Sequence, residues 1–263
     1  MRVFDKKTMT APDMGGPSGA LANPLQPRPS AEMEWLDHGT FSVGGHKITM
    51  DYEYGGSKRK SAESDFTMMK SKSFLAQYLQ HQGEDFSRIL ELGVYQGGSF
   101  VFLDQVFAPS RISAVELSAV PILALDSYVA GSNGRAKVHY GTSQDDVGRL
   151  TQIIDTDFGG QLDLVVDDAS HFYDQTKASF KVAFPKLRPG GLYIIEDWSW
   201  SFFGDYQAPD HPWASRHSLP NLAIDLMEEM ALCGTIEDFT VAPALAVQTN
   251  SYDYWLPSAS AKW

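Results

Sequence analysis

Two acidic clusters hold the residue types best suited to chemistry. Asp167-Asp168-Ala169-Ser170-His171 closes the apolar run that starts at Leu162, and Glu196-Asp197-Trp198 closes the run that starts at Leu192. Short apolar runs of this kind read as buried strands. Acids at their carboxyl ends stand where open α/β sheets bind ligands. Asp168 and Glu196 are 28 residues apart, which fits one strand-to-strand crossover and brings both to the same sheet edge. Carboxylates gathered in this way repel one another unless a cation joins them. Three hard oxygen ligands with room for water suit Mg²⁺, with Mn²⁺ second. The expected ligands are Asp168, Glu196 and Asp197; the bland alternative is that these acids are caps and solvated loop residues. Asp167 either faces a cofactor, and is counted with the cofactor residues on that basis, or braces the turn. His171 is the expected catalytic base, because a neighbouring dication keeps an imidazole neutral. His211 and His217, further on, are secondary candidates for touching substrate.

A second cluster is built on glycine. Glu91-Leu92-Gly93-Val94-Tyr95-Gln96-Gly97-Gly98-Ser99 ends one expected strand and opens a helix. Gly93 and Gly97 let the backbone turn tightly and approach a ligand, and the helix beyond offers free N–H groups. The spacing differs from the dinucleotide pattern G-x-G-x-x-G, and a plain strand-to-helix turn is the competing reading. The next expected strand ends in Glu116, 19 residues past Gly97. An acid there can accept from both hydroxyls of a ribose. Ser143, in the polar run 141–145, is a candidate for an adenine edge, and the same run also reads as a helix N-cap.

These residues need elements to position them. From residue 88 onward, strands and helices alternate: strands at 88–92, 111–116, 137–140, 162–167 and 192–195, with helices at 99–107, 119–130, about 144–156 and 175–184 between them. Such alternation predicts a parallel sheet covered on both faces. A helix at 218–233 is followed by two runs, 236–242 and 245–250, close enough to pair antiparallel at the sheet edge. The fold class is therefore α/β: a doubly wound, mostly parallel seven-stranded sheet with an N-terminal appendage. Three segments follow: a flexible arm at 1–31, rich in proline and glycine; an appendage at 32–84, with a hairpin around Gly44-Gly45 and a helix at 63–82; and a ligand-binding domain at 85–263. The arm reads as a solvated tail or as a strap over a partner or site. Residues 1–62 are expected to find little room in the core. The aromatic run 198–217 reads either as a lid over an apolar acceptor or as ordinary packing or subunit contact.

The chain resembles the class I S-adenosylmethionine-dependent methyltransferases through Glu91, Gly93, Gly97, Glu116 and the strand order around them. The run Val166 to His171, with Phe184 to Trp198, is more specifically similar to the metal-dependent macrocin and mycinamicin O-methyltransferases. That resemblance implies S-adenosylmethionine held by the glycine turn and Glu116. It also implies Mg²⁺ on Asp168, Glu196 and Asp197, with His171 as base. It implies methyl transfer to a hydroxyl of a small molecule, a secondary metabolite of the antibiotic kind. Ala169 stands where that group has glycine, and residues 1–84 show no match to it. The alternatives are a methyltransferase-fold enzyme that catalyses cyclisation, decarboxylation or a hydroxylation-associated step, and a non-enzymatic binding module.

Composition narrows the partners. The 263 residues carry Lys+Arg 21 against Asp+Glu 33, a net charge of −12, which opposes a phosphate backbone and argues against nucleic acid. Cys233 is the lone cysteine, so neither a disulfide framework nor a cysteine zinc site is expected. No stretch approaches the roughly 18 apolar residues of a membrane span, and no apolar signal core opens the sequence. A soluble cytoplasmic enzyme is expected, assembled as a homo-oligomer, taking a small-molecule acceptor.

Overall fold

In the computed structural model, residues 28–51, 59–233, 236, 240–242 and 245–247 are described. The chain begins with β1 (Met33–Trp35), β2 (Thr40–Val43), β3 (His46–Met50) and β4 (Asp65–Met68), followed by α1 (Lys72–Gln80). The alternation then runs β5 (Arg88–Leu92), α2 (Gly98–Phe107), β6 (Arg111–Glu116), α3 (Leu123–Ala130), β7 (Ala136–Tyr140), α4 (Val147–Phe158), β8 (Leu162–Asp167), α5 (Tyr173–Ala183) and β9 (Leu187–Glu196). A short α6 (Gly204–Gln207), α7 (Pro220–Cys233), β10 (Thr240–Ala242) and β11 (Leu245–Val247) complete it.

The main sheet has the order β10-β11-β9-β8-β5-β6-β7. Its five central and edge strands from β9 to β7 are parallel, and β11 runs antiparallel to both β9 and β10. Alternate residues along each strand serve opposite faces. Ile89, Leu164, Val166 and Ile194 pack with α2 on one side, and Leu90, Val165, Tyr193 and Ile195 pack with α4 and α7 on the other. That two-sided burial is why these strands read as continuous apolar runs. α2 is apolar almost all round, and it is buried almost throughout. α3 starts later than the residue pattern suggests, since Pro121 disfavours helix at the residue before it.

The appendage departs from expectation in two ways. The segment expected as one helix, 63–82, splits into β4 and α1. β4 pairs in parallel with β3, and Thr67 bridges to Gly97 of the glycine turn. Phe66, Thr67 and Met68 are all buried, so tertiary pairing outweighs the helical spacing of the apolar residues. The helix waits for Ser71, whose hydroxyl accepts from the Phe74 N–H at 3.2 Å. Second, residues before 63 do enter the core: Phe41, Val43 and Ile48 are at most 1 % exposed and share one cluster with Phe66, Tyr78, Phe102 and Ile89. Most of the expected arm, residues 1–27, lies outside the described residues. Its last residues are tied to α2, with Arg28 bonding Asp104 and the Ala31 N–H donating to Gln105.

Candidate active site

β5 pairs with β6 on one side and β8 on the other, so the chain order reverses at β5. Open α/β sheets bind ligands outside the carboxyl ends of strands at such a point. The glycine turn, Glu116, Asp168 and His171 all follow the ends of these three strands.

The turn is held from three sides. Gly93 and Gly97 both have φ 84°, and Tyr95 is left-handed at φ 49°. A Cβ on Gly93 would lie 2.4 Å from the Asp168 carbonyl oxygen, so glycine lets the β5 and β8 loops touch. Glu116 braces the turn from the far side, accepting from the Val94 N–H at 3.1 Å and the Ser118 N–H at 2.9 Å. A carboxylate has about four lone-pair sites, so acceptor capacity for hydroxyls remains. Glu91 lies beneath, fully buried. Neither of its oxygens meets a donor in good geometry among the described residues. Burial pushes its carboxyl up to about 8, against the opposing pull of Ser99 and Lys70. A buried acid without a donor fits a cationic or N–H-bearing ligand group, and the ammonium of an amino-acid-bearing cofactor meets that need.

The acids meet at the ends of β8 and β9, where Asp167 registers with Ile195. Asp168, His171 and Asp197 each offer a ligand atom within 4.8 Å of the others. His171 (φ 59°) and Asp197 (φ 49°) hold left-handed backbone, a conformation that non-glycine residues keep only when surroundings enforce it. Asp197 is raised by burial of its carboxyl and then by Asp168, with His171 and Lys70 opposing. Two carboxylates and an imidazole converging on one point form a donor set that fits a divalent cation.

The predicted residues do not all arrive where the sequence placed them. Glu196 comes to the same edge as Asp168, but its oxygens are engaged otherwise: Lys70 donates to Oε2 at 2.5 Å and the Tyr78 hydroxyl donates to Oε1. Asp167 does not turn to the crevice. It is buried and accepts from Gln144 (3.0 Å), Ser179 (2.7 Å) and Tyr193 (2.9 Å), while Gln144 in turn accepts from the Ser170 N–H at 2.8 Å. Asp167 therefore braces the loop that carries His171. Burial pushes its carboxyl up to about 6 against those bonds. Ser143 is half-buried and donates to Asp145. The cap of α4 is Asp146, one residue past the run expected to supply it.

Lys70 and Tyr78 are the neighbours of these acids that sequence reading missed. Lys70 is 4 % exposed and also bonds Asp168 at 2.7 Å. The only signal was a lysine directly after the apolar run Phe66 to Met69, which by itself says little.

The aromatic segment forms a wall behind His171. The Trp200 indole N–H donates to the His171 carbonyl at 2.6 Å. Trp200, Trp213, Tyr206 and Phe172 pack with ring centroids 5.0–6.0 Å apart. His211 accepts from the Trp213 N–H and His217 packs on Tyr173, so both histidines belong to this packing. Phe202 and Phe203 stay exposed.

Comparisons with known proteins bear on the same residues. Residues 90–198 match the "Methyltransferase domain" family Methyltransf_24. The chain is 36% identical over 92 residues to demethylmacrocin O-methyltransferase of Streptomyces fradiae, covering 34% of this chain and 23% of that protein. It is 36% identical over 117 residues to 8-demethyl-8-(2-methoxy-alpha-L-rhamnosyl)-tetracenomycin-C 3'-O-methyltransferase of Streptomyces olivaceus, covering 42% of this chain and 27% of that protein. Each match thus spans less than a third of the relative's length. Among solved structures, the S-adenosylhomocysteine-bound methyltransferase PaMTH1 of Podospora anserina superposes with a TM-score of 0.50 at 20% identity, over 68% of this chain and 78% of that one. Strand order, glycine turn and matched sequence agree: residues 90–198 match the methyltransferase-domain family and are similar in sequence to demethylmacrocin O-methyltransferase.

Proposed function

We propose that the chain transfers a methyl group from S-adenosylmethionine to a hydroxyl oxygen of a small secondary metabolite, assisted by Mg²⁺. One observation carries this reading: Asp168, His171 and Asp197 converge within 4.8 Å at the strand edge that also bears the glycine turn and the buried Glu91. The similarity to O-methyltransferases that act on sugar-bearing polyketides supports the acceptor class.

Glu91 would take the cofactor's ammonium, and Glu116 its ribose hydroxyls. Gly93 and Gly97 allow the backbone to approach closely. Asp168 and Asp197 would hold the Mg²⁺, which when bound supplies positive charge that makes an acceptor hydroxyl more acidic. His171 accepts the hydroxyl proton; Trp200 and Asp167 fix the loop that presents its ring. The ring wall excludes water, which would otherwise compete for the methyl group. The protein's main contribution is register between two reactants. The N-terminal elements belong to this machinery, since they carry Lys70 and Tyr78.

The test is a methyl-transfer assay on the full chain across a panel of glycosylated polyketides, with S-adenosylhomocysteine quantified against methyl ether. Equal yields of the two products are expected. Asp197→Asn and His171→Ala should each lose about 100-fold or more in turnover, the usual scale for general acid–base groups. A converted acceptor with no S-adenosylhomocysteine formed would defeat the reading in favour of a non-methylating reaction.

A further inference from the structure

The cation nearest the acid cluster is one the protein supplies itself. Lys70 lies directly after β4, outside the matched methyltransferase segment, and reaches into it. Its ammonium contacts Asp168 at 2.7 Å and Glu196 at 2.5 Å. Its side chain is 3 % exposed and that of Glu196 is 2 % exposed, whereas Asp168 keeps 24 %. Two carboxylates thus flank the ammonium at ion-pair distance. Tyr78 of α1 closes the other oxygen of Glu196. Both oxygens of Glu196 thus accept from groups of the appendage, while Asp168 has one oxygen on Lys70 and gathers with His171 and Asp197.

We propose that Lys70 is the resident counter-cation of this centre, withdrawing Glu196 from the ligand set and setting how tightly Asp168 and Asp197, beside His171, hold a divalent ion. The inference deepens the function proposed above and rests on its metal assignment for the ligand set. Its physical basis is simple. A unit positive charge a few ångströms from a dication opposes its binding, and the opposition is strong where water is excluded. Lys70 is a positioning residue here: it acts through Asp168 and Glu196.

The experiment is a Mn²⁺ titration of the full chain, read by electron paramagnetic resonance of the free ion, without substrate or turnover. Lys70→Gln should bind Mn²⁺ at least about tenfold more tightly than wild type, since the opposing charge is lost and Glu196 is released toward the ion. Lys70→Arg, which keeps the charge, should stay near wild type. If Lys70→Gln does not fold, the pair Glu196→Gln and Lys70→Gln/Glu196→Gln carries the test, because neither leaves Glu196 as an unpaired buried charge. The double variant must then bind more tightly than the single one. Equal or weaker Mn²⁺ binding after loss of the lysine overturns the proposal, while loss of binding in Asp197→Asn would still uphold the metal reading. Conversely, if wild type binds no Mn²⁺ and Lys70→Gln does, the lysine role stands and the resident Mg²⁺ is what fails.

Discussion

At the scale of single residues, the site gathers titratable groups whose surroundings shift them from their ordinary state. Glu91 is the clearest case. Its native carboxyl keeps its proton up to about pH 8, whereas an exposed glutamate loses it near 4.5. The native state therefore binds the extra proton between those values, and stability falls as pH rises through that window. Glu91→Gln should remove this slope. Its melting temperature at pH 8 should rise by several degrees over wild type, followed by thermal denaturation across pH 5 to 8. The same variant should bind S-adenosylhomocysteine at least about tenfold more weakly, because an amide, unlike the acid, cannot give up a proton to become the carboxylate that pairs with an ammonium. A residue that costs stability and serves binding is the expected signature of a functional acid. His171 and Asp197 show the same trade through left-handed backbone.

Among elements, helices and strands are joined by polar networks well away from the chemistry. Asp157, near the end of α4, accepts from Ser113 of β6 at 2.8 Å and pairs with Lys137 (2.5 Å) and His139 (2.8 Å) of β7. Burial would raise this acid, but the bonds from His139, Lys137 and Ser113 outweigh it and hold it at about 2. A depressed carboxylate contributes stability that is present above pH 4 and lost as pH falls toward 2. Asp157→Asn should cost about 3 kcal/mol near neutrality, the low end for breaking a buried pair because Lys137 is half-exposed, and should flatten the acid limb of a chemical-denaturation series. A limb unchanged in the variant would show that the acid transition belongs to other carboxylates. β4 and α1 are the elements that sequence pattern misjudged. Phe66, Met69 and Phe74 imitate a helical stripe, yet Thr67 is committed to β3 and to Gly97. Pairing with partners 18 and 30 positions away leaves no local trace.

For the whole molecule, the boundary drawn at residue 84 does not separate two cores. Phe41, Ile48, Phe66 and Tyr78 pack in the same cluster as Phe102, Ile89 and Leu164, and Gly98 leaves no room for a Cβ against the Thr67 carbonyl, 2.5 Å away. The appendage also delivers Lys70 and Tyr78 to the acids. A fragment of residues 85–263 should therefore fail to fold cooperatively: truncation would expose one face of α2 and leave Glu196 without its partners. Limited proteolysis and circular dichroism of the fragment beside the full chain would decide it. A protease-resistant fragment with a sharp melt would restore the two-domain division. No helix among the described residues is long and apolar enough to cross a membrane.

How much was legible follows from the range of the forces involved. Sequence alone determined the parallel strands, the glycine turn, Glu116 at its crevice and the acids at consecutive strand ends, because strand periodicity, turn chemistry and the strand-to-strand crossover are all local in the chain. It also grouped Asp168, Glu196 and Asp197 as one ligand set with His171 beside them, whereas the cluster within 4.8 Å holds Asp168, His171 and Asp197. Only the tertiary structure decided what those acids touch. Asp167 and Asp168 are neighbours of one kind in sequence, yet one is buried among Gln144, Ser179 and Tyr193 and the other opens toward His171. Glu196 and Asp197 diverge in the same way, one toward Lys70 and the other toward the cluster. Side chains on successive residues leave the backbone in different directions, and the partner each one finds is set by packing between segments 12 to 126 residues apart, to which no pattern within either segment responds.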